Sequence, residues 1–391
     1  MNLHLSTDDK FLDYFIENAE RYSQTKNTYV VLSRNDKLIY TKSKRVIHIQ
    51  PTVENFKYIY NKLFDIKRVY LHGLTEIYAD MVFACNLHEK HRLIWLFFGH
   101  EVFDLQEYRE SLFLPETKKY YHKNEDTIFR FSLNPIQLRR NFINYNHYKK
   151  KQKLREDKLK RLICSIHVFA HFIKEDYEMF VKPLNPKIEF IEWNYIGNNQ
   201  FLFLPIPYKK LELQSTTIML GNSASIFNNH LDGLMHLKTY IDSKNINKII
   251  CPLSYSGKVN YVETVKAYGK FLFGDKFIPL DKFLPKEDYF KLLNEIDIAV
   301  YFNLRSQAAG NILYFIKNNI PVFMHPENTL FKSLQESGFM IDTINDLGKN
   351  ELYLSQENNK ITLDKVFGEA AMNKKYKNLL STNGTVDFVK E

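Results

Sequence analysis

Cysteine is scarce in this chain: three in 391 residues, Cys85, Cys164 and Cys251, with no CxxC pair among them. That excludes a disulfide framework, argues against a thiolate zinc site and suits a reducing compartment. The histidines show no HExxH or comparable ligand spacing, so no metal is expected. The dinucleotide fingerprint GxGxxG is missing, which weakens a nicotinamide or flavin reading, and so is the phosphate loop GxxxxGK[ST]; no cofactor is expected. No uninterrupted apolar run approaches the roughly 20 residues that span a bilayer. The opening MNLHLSTDDK has neither a cationic nor an apolar leader region, so a cytoplasmic location is expected.

What is present is ample core material. Hydrophobic residues make up 45% of the chain and aromatics 15%, enough for two or three domains. Net charge is +9, which nucleic acid, an anionic membrane or a phosphorylated substrate would each explain. Its distribution is uneven: KKKQKLREDKLKRL, residues 149–162, holds eight basic residues against two acidic ones. No RNA-binding pattern accompanies that run, so no nucleic-acid partner is expected. A solvated helix face or contact with the cytoplasmic face of an anionic inner membrane remains.

Short apolar runs alternate with amphipathic stretches along the first half: Asn2–Leu5, Tyr29–Leu32, Val46–Ile49, Arg68–Leu71 and Leu93–Phe98 as strands, with helices between them. This order predicts a parallel sheet covered by helices. Residues 104–134 read as an irregular surface excursion, 135–162 as one or two basic helices, and 194–215 as a linker. A second alternation starts at Thr216. The expected class is α/β, two Rossmann-like domains facing across a cleft: residues 1–205, residues 206–345, and a tail 346–391 with a closing helix at Lys365–Leu380.

The stretch DIAVYFNLRSQAAGNILYFIKNNIPVFMHPEN, residues 297–328, organises the second half. A buried strand leads into Arg305, Ser306 and Gln307, and Ala308-Ala309-Gly310-Asn311 opens a helix. Small residues there let bare N–H groups and the helix dipole meet an anion beside a guanidinium, a diphosphate cradle. The alternative is a plain βαβ unit whose small residues only permit close packing. Gly221-Asn222-Ser223 follows another strand and offers a tight turn with short polar groups, or simply a turn. Glu327 and Asn328 would face the same crevice and hold a hydroxyl, or act as first-turn acid and N-cap. In the first half, Glu101, Asp9, Asp8 and His72 stand at strand ends, where an α/β enzyme places a base; each also fits a capping role.

The second half is similar to the TDP-N-acetylfucosamine:lipid II N-acetylfucosaminyltransferases of enterobacterial common antigen synthesis, glycosyltransferase family 56. The likeness lies in LGNSASIFNNH (220–230), CPLSY (251–255), DKFLPKEDYFKLLNEIDIAVYFNLRSQAAGN (281–311) and IPVFMHPEN (320–328), with thinner matches at STDD (6–9), LHG (71–73) and LIWLFFGHEVFDL (93–105). The resemblance implies a GT-B fold and an inverting, metal-independent transfer from a dTDP-linked sugar, such as a 4-acetamido-4,6-dideoxyhexose, to a lipid-linked or surface-glycan acceptor. It implies that Gly221, Asn222 and Ser223 line the nucleotide site, that Arg305, Gln307 and Gly310 hold the diphosphate, and that Glu327 and Asn328 flank nucleotide or sugar. Tyr255 and Phe283 would wall the base, and Glu101 would be the general base, with Asp9 and His72 as competitors. The family's glycine-rich run is here Ala308-Ala309-Gly310-Asn311. The alternatives are a GT-B enzyme using GDP-fucose or a UDP-sugar, and a non-catalytic scaffold binding RNA or lipid through its basic segment.

Overall fold

The computed structural model describes residues 1–99, 101–125, 135–195, 216–240, 246–347 and 356–381. His100, most of the expected linker and part of the tail lie outside the described residues. The chain forms two compact units, and the units exchange segments.

The first unit is a seven-stranded sheet, all parallel: β1 (Asn2–Thr7), β2 (Asn27–Leu32), β3 (Val46–Ile49), β4 (Arg68–His72), β5 (Arg92–Leu96), β6 (Val168–His171) and β7 (Glu189–Glu192), in the spatial order β3-β2-β1-β4-β5-β6-β7. Leu93, Ile94, Trp95 and Leu96 of β5 are all fully buried, because helices cover both faces of a parallel sheet. The chain winds outward from β1 to β3, then returns to lay β4 beside β1. That reversal creates a crevice at the strand C-termini between β1 and β4, where doubly wound sheets receive ligands.

The second unit repeats the plan with six parallel strands: β8 (Thr216–Leu220), β9 (Ile246–Pro252), β10 (Phe277–Leu280), β11 (Ile298–Tyr301), β12 (Val322–Met324) and β13 (Asp342–Thr343), ordered β10-β9-β8-β11-β12-β13. Val300 lies opposite Leu220, so the reversal here falls between β8 and β11.

Two expectations need correction. Residues 106–125 are not irregular: they form the helices Gln106–Arg109 and Pro115–Glu125 joined by a turn, and they pack with the second unit rather than the first. The cause is tertiary. Asn229 Oδ1 accepts the Leu114 N–H at 3.0 Å, and Asp232 accepts the N–H groups of Glu116 and Thr117 at 2.8 and 2.9 Å, capping the helix that starts at Pro115. The closing helix is two helices, Gln356–Phe367 and Glu369–Ser381, which part at Gly368. The second returns to the first unit, burying Met372, Tyr376, Leu379 and Leu380 beside Phe15 and Trp193, while Tyr70 donates to the Leu379 carbonyl at 3.1 Å. The basic segment is one continuous helix, Pro135–Cys164.

Candidate functional site

In the second unit the candidate residues meet where β8 and β11 end side by side. Gly221 donates to the Val300 carbonyl at 3.0 Å and has φ +70°. A β-carbon there would stand 2.9 Å from Asn228 Oδ1 and 3.2 Å from His230 Nε2, so both the turn and the space demand glycine. The turn is held from below by Asn228, whose amide donates to the carbonyls of Ser223 and Ser225 at 2.9 and 3.2 Å and whose oxygen accepts the Asn222 N–H at 3.3 Å. Ser223 is thereby buried. Asn222 points its side chain the other way. Its oxygen accepts from Gln307 Nε2 at 2.5 Å and its amide donates to the Tyr255 hydroxyl at 3.4 Å. Three expected site residues from three separate loops are therefore joined by one asparagine.

Ala308 takes the left-handed conformation, φ +62°, and the helix Ala309–Lys317 starts after it with no side-chain cap on its first N–H groups. Gly310 is exposed, and a β-carbon there would meet nothing within 4 Å. The close-packing explanation therefore fails for this glycine, whose missing side chain leaves the backbone uncovered on that side. Arg305 sits beside it, donating to the Ser306 carbonyl at 3.1 Å, with its guanidinium 5.0 Å from the centre of the Phe227 ring. Asn311 ties the same helix to Tyr289, donating to its hydroxyl at 2.7 Å. Burial raises the hydroxyl pKa of Tyr255 and Tyr289 above the ordinary tyrosine value, so both stay neutral hydrogen-bonding groups.

Asn328 does not face a ligand. It is fully buried, caps the helix Thr329–Glu336 by accepting the Phe331 N–H at 3.1 Å, and donates to the carbonyls of Asn303 and Arg305 at 2.6 and 3.2 Å. The capping alternative is the one realised, and it also fixes the backbone that carries Arg305. Glu327, one residue earlier, is exposed. Phe283 is 81% exposed, in a loop after β10.

In the first unit, Asp9 follows β1, His72 ends β4 and Glu101 follows β5, around the corresponding reversal. Glu101, the expected base, is 3% exposed. Its Oε1 accepts from Leu74 N, Trp95 Nε1 and Phe98 N at 3.2, 3.2 and 3.3 Å, and its Oε2 from Gly99 N at 2.9 Å. Four N–H donors converging on one buried carboxylate make it a tie between two loops, a poor position for proton transfer to a substrate. His72 is also buried. Its Nδ1 accepts from the Tyr195 hydroxyl (2.7 Å) and its Nε2 meets His4 Nδ1 (3.3 Å), while His4 Nε2 reaches Asn27 Oδ1 (3.4 Å). Neutral tautomers with the proton on Nε2 satisfy all three contacts. Burial keeps both rings uncharged, pushing His4 down to about 3 and His72 well below the usual histidine value. Asp8 is committed to the 39–41 loop, accepting the N–H groups of Ile39, Tyr40 and Thr41. Asp9 is half-buried, with Oδ1 taking the Phe11 N–H at 2.8 Å. Asp8 and Asp9 are both less buried than Glu101 and His72, and Asp8 is the one that carries three backbone N–H groups.

The basic helix divides into two parts. Arg155 and Lys158 pair with Glu76 and Asp80 at 3.3 and 2.7 Å, and Arg161 lies over the Phe83 ring at 4.1 Å. Before them, Lys150, Lys151 and Lys153 are exposed alongside Tyr148 and Leu154. No helix among the described residues is long and apolar enough to cross a membrane.

Sequence reasoning overlooked Phe227, Asn228, Asn229 and Asn303 as site-shaping residues. Their signal was the polar pair Asn228-Asn229 inside an otherwise apolar approach to a helix, where two adjacent buried amides require specific partners.

Comparison with known proteins bears on this arrangement. Residues 200–382 match the model of a family described as 4-alpha-L-fucosyltransferase, glycosyl transferase group 56. Among solved structures, the chain is similar to sucrose-phosphate synthase from Thermosynechococcus elongatus, with 9% identity, a TM-score of 0.62, and 97% of this chain and 98% of that one covered. It is similar to the UDP-forming trehalose-phosphate synthase of Burkholderia xenovorans, with 9% identity, a TM-score of 0.61 and the same coverage. For the trehalose 6-phosphate synthase of Burkholderia multivorans the values are 8% and 0.58, with 97% of this chain and 95% of that one covered. At such identities the likeness carries the fold alone.

Proposed function

We propose a reaction for a chain that is a glycosyltransferase of the GT-B type and whose residues 200–382 match the model of glycosyl transferase group 56. A sugar passes, with inversion and without a metal, from a dTDP-linked donor to a lipid-linked or surface-glycan acceptor. The acceptor hydroxyl loses its proton to Asp9, its oxygen bonds to the anomeric carbon, and the bond from that carbon to the β-phosphate oxygen breaks. The departing diphosphate gains negative charge. Arg305 and the N-terminus of the helix Ala309–Lys317 stabilise that charge, and donors already fixed in place do so without reorganising during the reaction. Gln307 and Asn222 hold the nucleotide side of the diphosphate, and Tyr255 lies alongside the base.

The observation that carries this reading is the Asn222–Gln307 bridge at the β8–β11 reversal, beside Arg305 and the open face of Gly310. The lipid of the acceptor draws the protein to the cytoplasmic face of a membrane through Lys150, Lys151 and Lys153, each worth about 1 kcal/mol near an anionic surface.

The test is a thermal-shift and turnover series with dTDP-, UDP- and GDP-sugars. The dTDP series should stabilise most and support transfer, by preferential binding to the folded state. Asp9→Asn should abolish transfer while leaving donor binding intact. Stabilisation by GDP or UDP alone would replace the donor assignment, and full activity in Asp9→Asn would remove Asp9 as the base.

A further inference from the structure

We infer that Phe227 and Phe113 are positioning residues for Arg305, so that a segment from the first third of the sequence forms part of the diphosphate machinery. The inference rests on the reading of Arg305 as a diphosphate ligand.

The guanidinium of Arg305 lies 5.0 Å from the Phe227 ring centre. Phe227 stacks in turn on Phe113, centres 5.4 Å apart and planes 25° from parallel, and Phe113 tilts against Tyr121 at 4.8 Å. Phe113 and Phe227 are each 6% exposed. The Phe113 backbone is pinned on both sides. Asn229, fully buried at φ +52°, donates to the Leu112 carbonyl at 3.2 Å and accepts the Leu114 N–H at 3.0 Å. The same amide donates to the Phe302 carbonyl at 3.0 Å, at the start of the loop bearing Arg305. One asparagine therefore clamps both the stack and the strand end that carries the guanidinium. A long cationic side chain on an aromatic face surrenders much of its rotamer freedom before any ligand arrives, and that preorganisation makes it an effective stabiliser of developing charge.

The test is calorimetric binding of dTDP, UDP and GDP, with their monophosphates as controls, to the full chain and its variants. Phe227→Leu should weaken the diphosphate about fivefold, the scale of one partly buried cation–π contact, and leave the monophosphate within about twofold. Phe227→Tyr, which keeps the ring, should restore binding, and Phe227→Leu should add nothing in an Arg305→Ala background. Equal losses in Leu and Tyr variants, or a loss that persists without Arg305, would reduce Phe227 to packing and overturn the inference. Should Phe227→Leu fail to fold, Phe113→Leu, one ring removed from the guanidinium, asks the same question. Unchanged diphosphate affinity in Arg305→Ala alone would instead sink the underlying reading of the site.

Discussion

Acidification should unfold the first unit by charging two buried histidines. His4 is stacked between Tyr70 and Tyr29, ring centres 4.5 and 4.8 Å away, and both His4 and His72 are buried neutral. An unfolded histidine titrates near 6.5, whereas burial holds folded His4 at about 3 and His72 well below its usual value. Between those limits the unfolded chain binds more protons, so the stabilisation is fully present above about pH 6.5 and is lost as pH falls toward the folded values. Each such group contributes a slope approaching about 1.4 kcal/mol per pH unit. From pH 7 to pH 5 His4 alone should remove about 2 kcal/mol, with His72 adding to the loss in the same direction, a sizeable share of a domain stability of about 5–15 kcal/mol. His91 and His167, also lowered by burial, act in the same direction. The only two tryptophans, Trp95 and Trp193, lie in this unit, so urea unfolding followed by tryptophan fluorescence reports on it alone. The urea midpoint should drop steeply over that range, and His4→Gln should flatten the dependence by nearly one proton. A midpoint that moves by less than one proton's worth, or a slope unchanged in His4→Gln, would refute the reasoning.

Two further outcomes follow from the second unit. Gly221→Ala forces an L-residue into the left-handed region and a methyl against Asn228, costing about 1–2 kcal/mol from the backbone alone; thermal melting should show that loss together with weakened nucleotide binding. Asn328→Ala removes a helix cap and two loop ties, so about 2 kcal/mol should disappear in denaturant titration. Nucleotide affinity should fall with it, because the Arg305 backbone loses its anchor; stability lost without any change in affinity would separate the cap from the site.

Strand placement was legible because each buried parallel strand is a short apolar run between polar turns, as in Leu93–Leu96 and Ile298–Tyr301. The membership of Gln106–Glu125 was not, since that segment has no regular apolar period and its anchors, Asn229 and Asp232, lie more than a hundred residues away. The packing of the helix Glu369–Ser381 on the first unit escaped for a similar reason: nothing local tells Tyr376 to which of two cores it belongs. At the candidate site, the sequence shows where polar residues leave strands but not what folds around them. Glu101 reads as a carboxylate at a strand mouth, and only the fold reveals four N–H groups closing on it. Asn328 reads either way until its amide is seen on the Asn303 and Arg305 carbonyls.

The central claim is that Arg305 and the adjoining helix end receive a diphosphate. Titrating dTDP and dTMP into the native chain and Arg305→Ala tests it most directly. Loss of a charge-assisted contact of about 1.5–3 kcal/mol should weaken dTDP roughly 10- to 150-fold while dTMP changes little. Equal affinities for dTDP in the two proteins, or the same loss for both nucleotides, would contradict it.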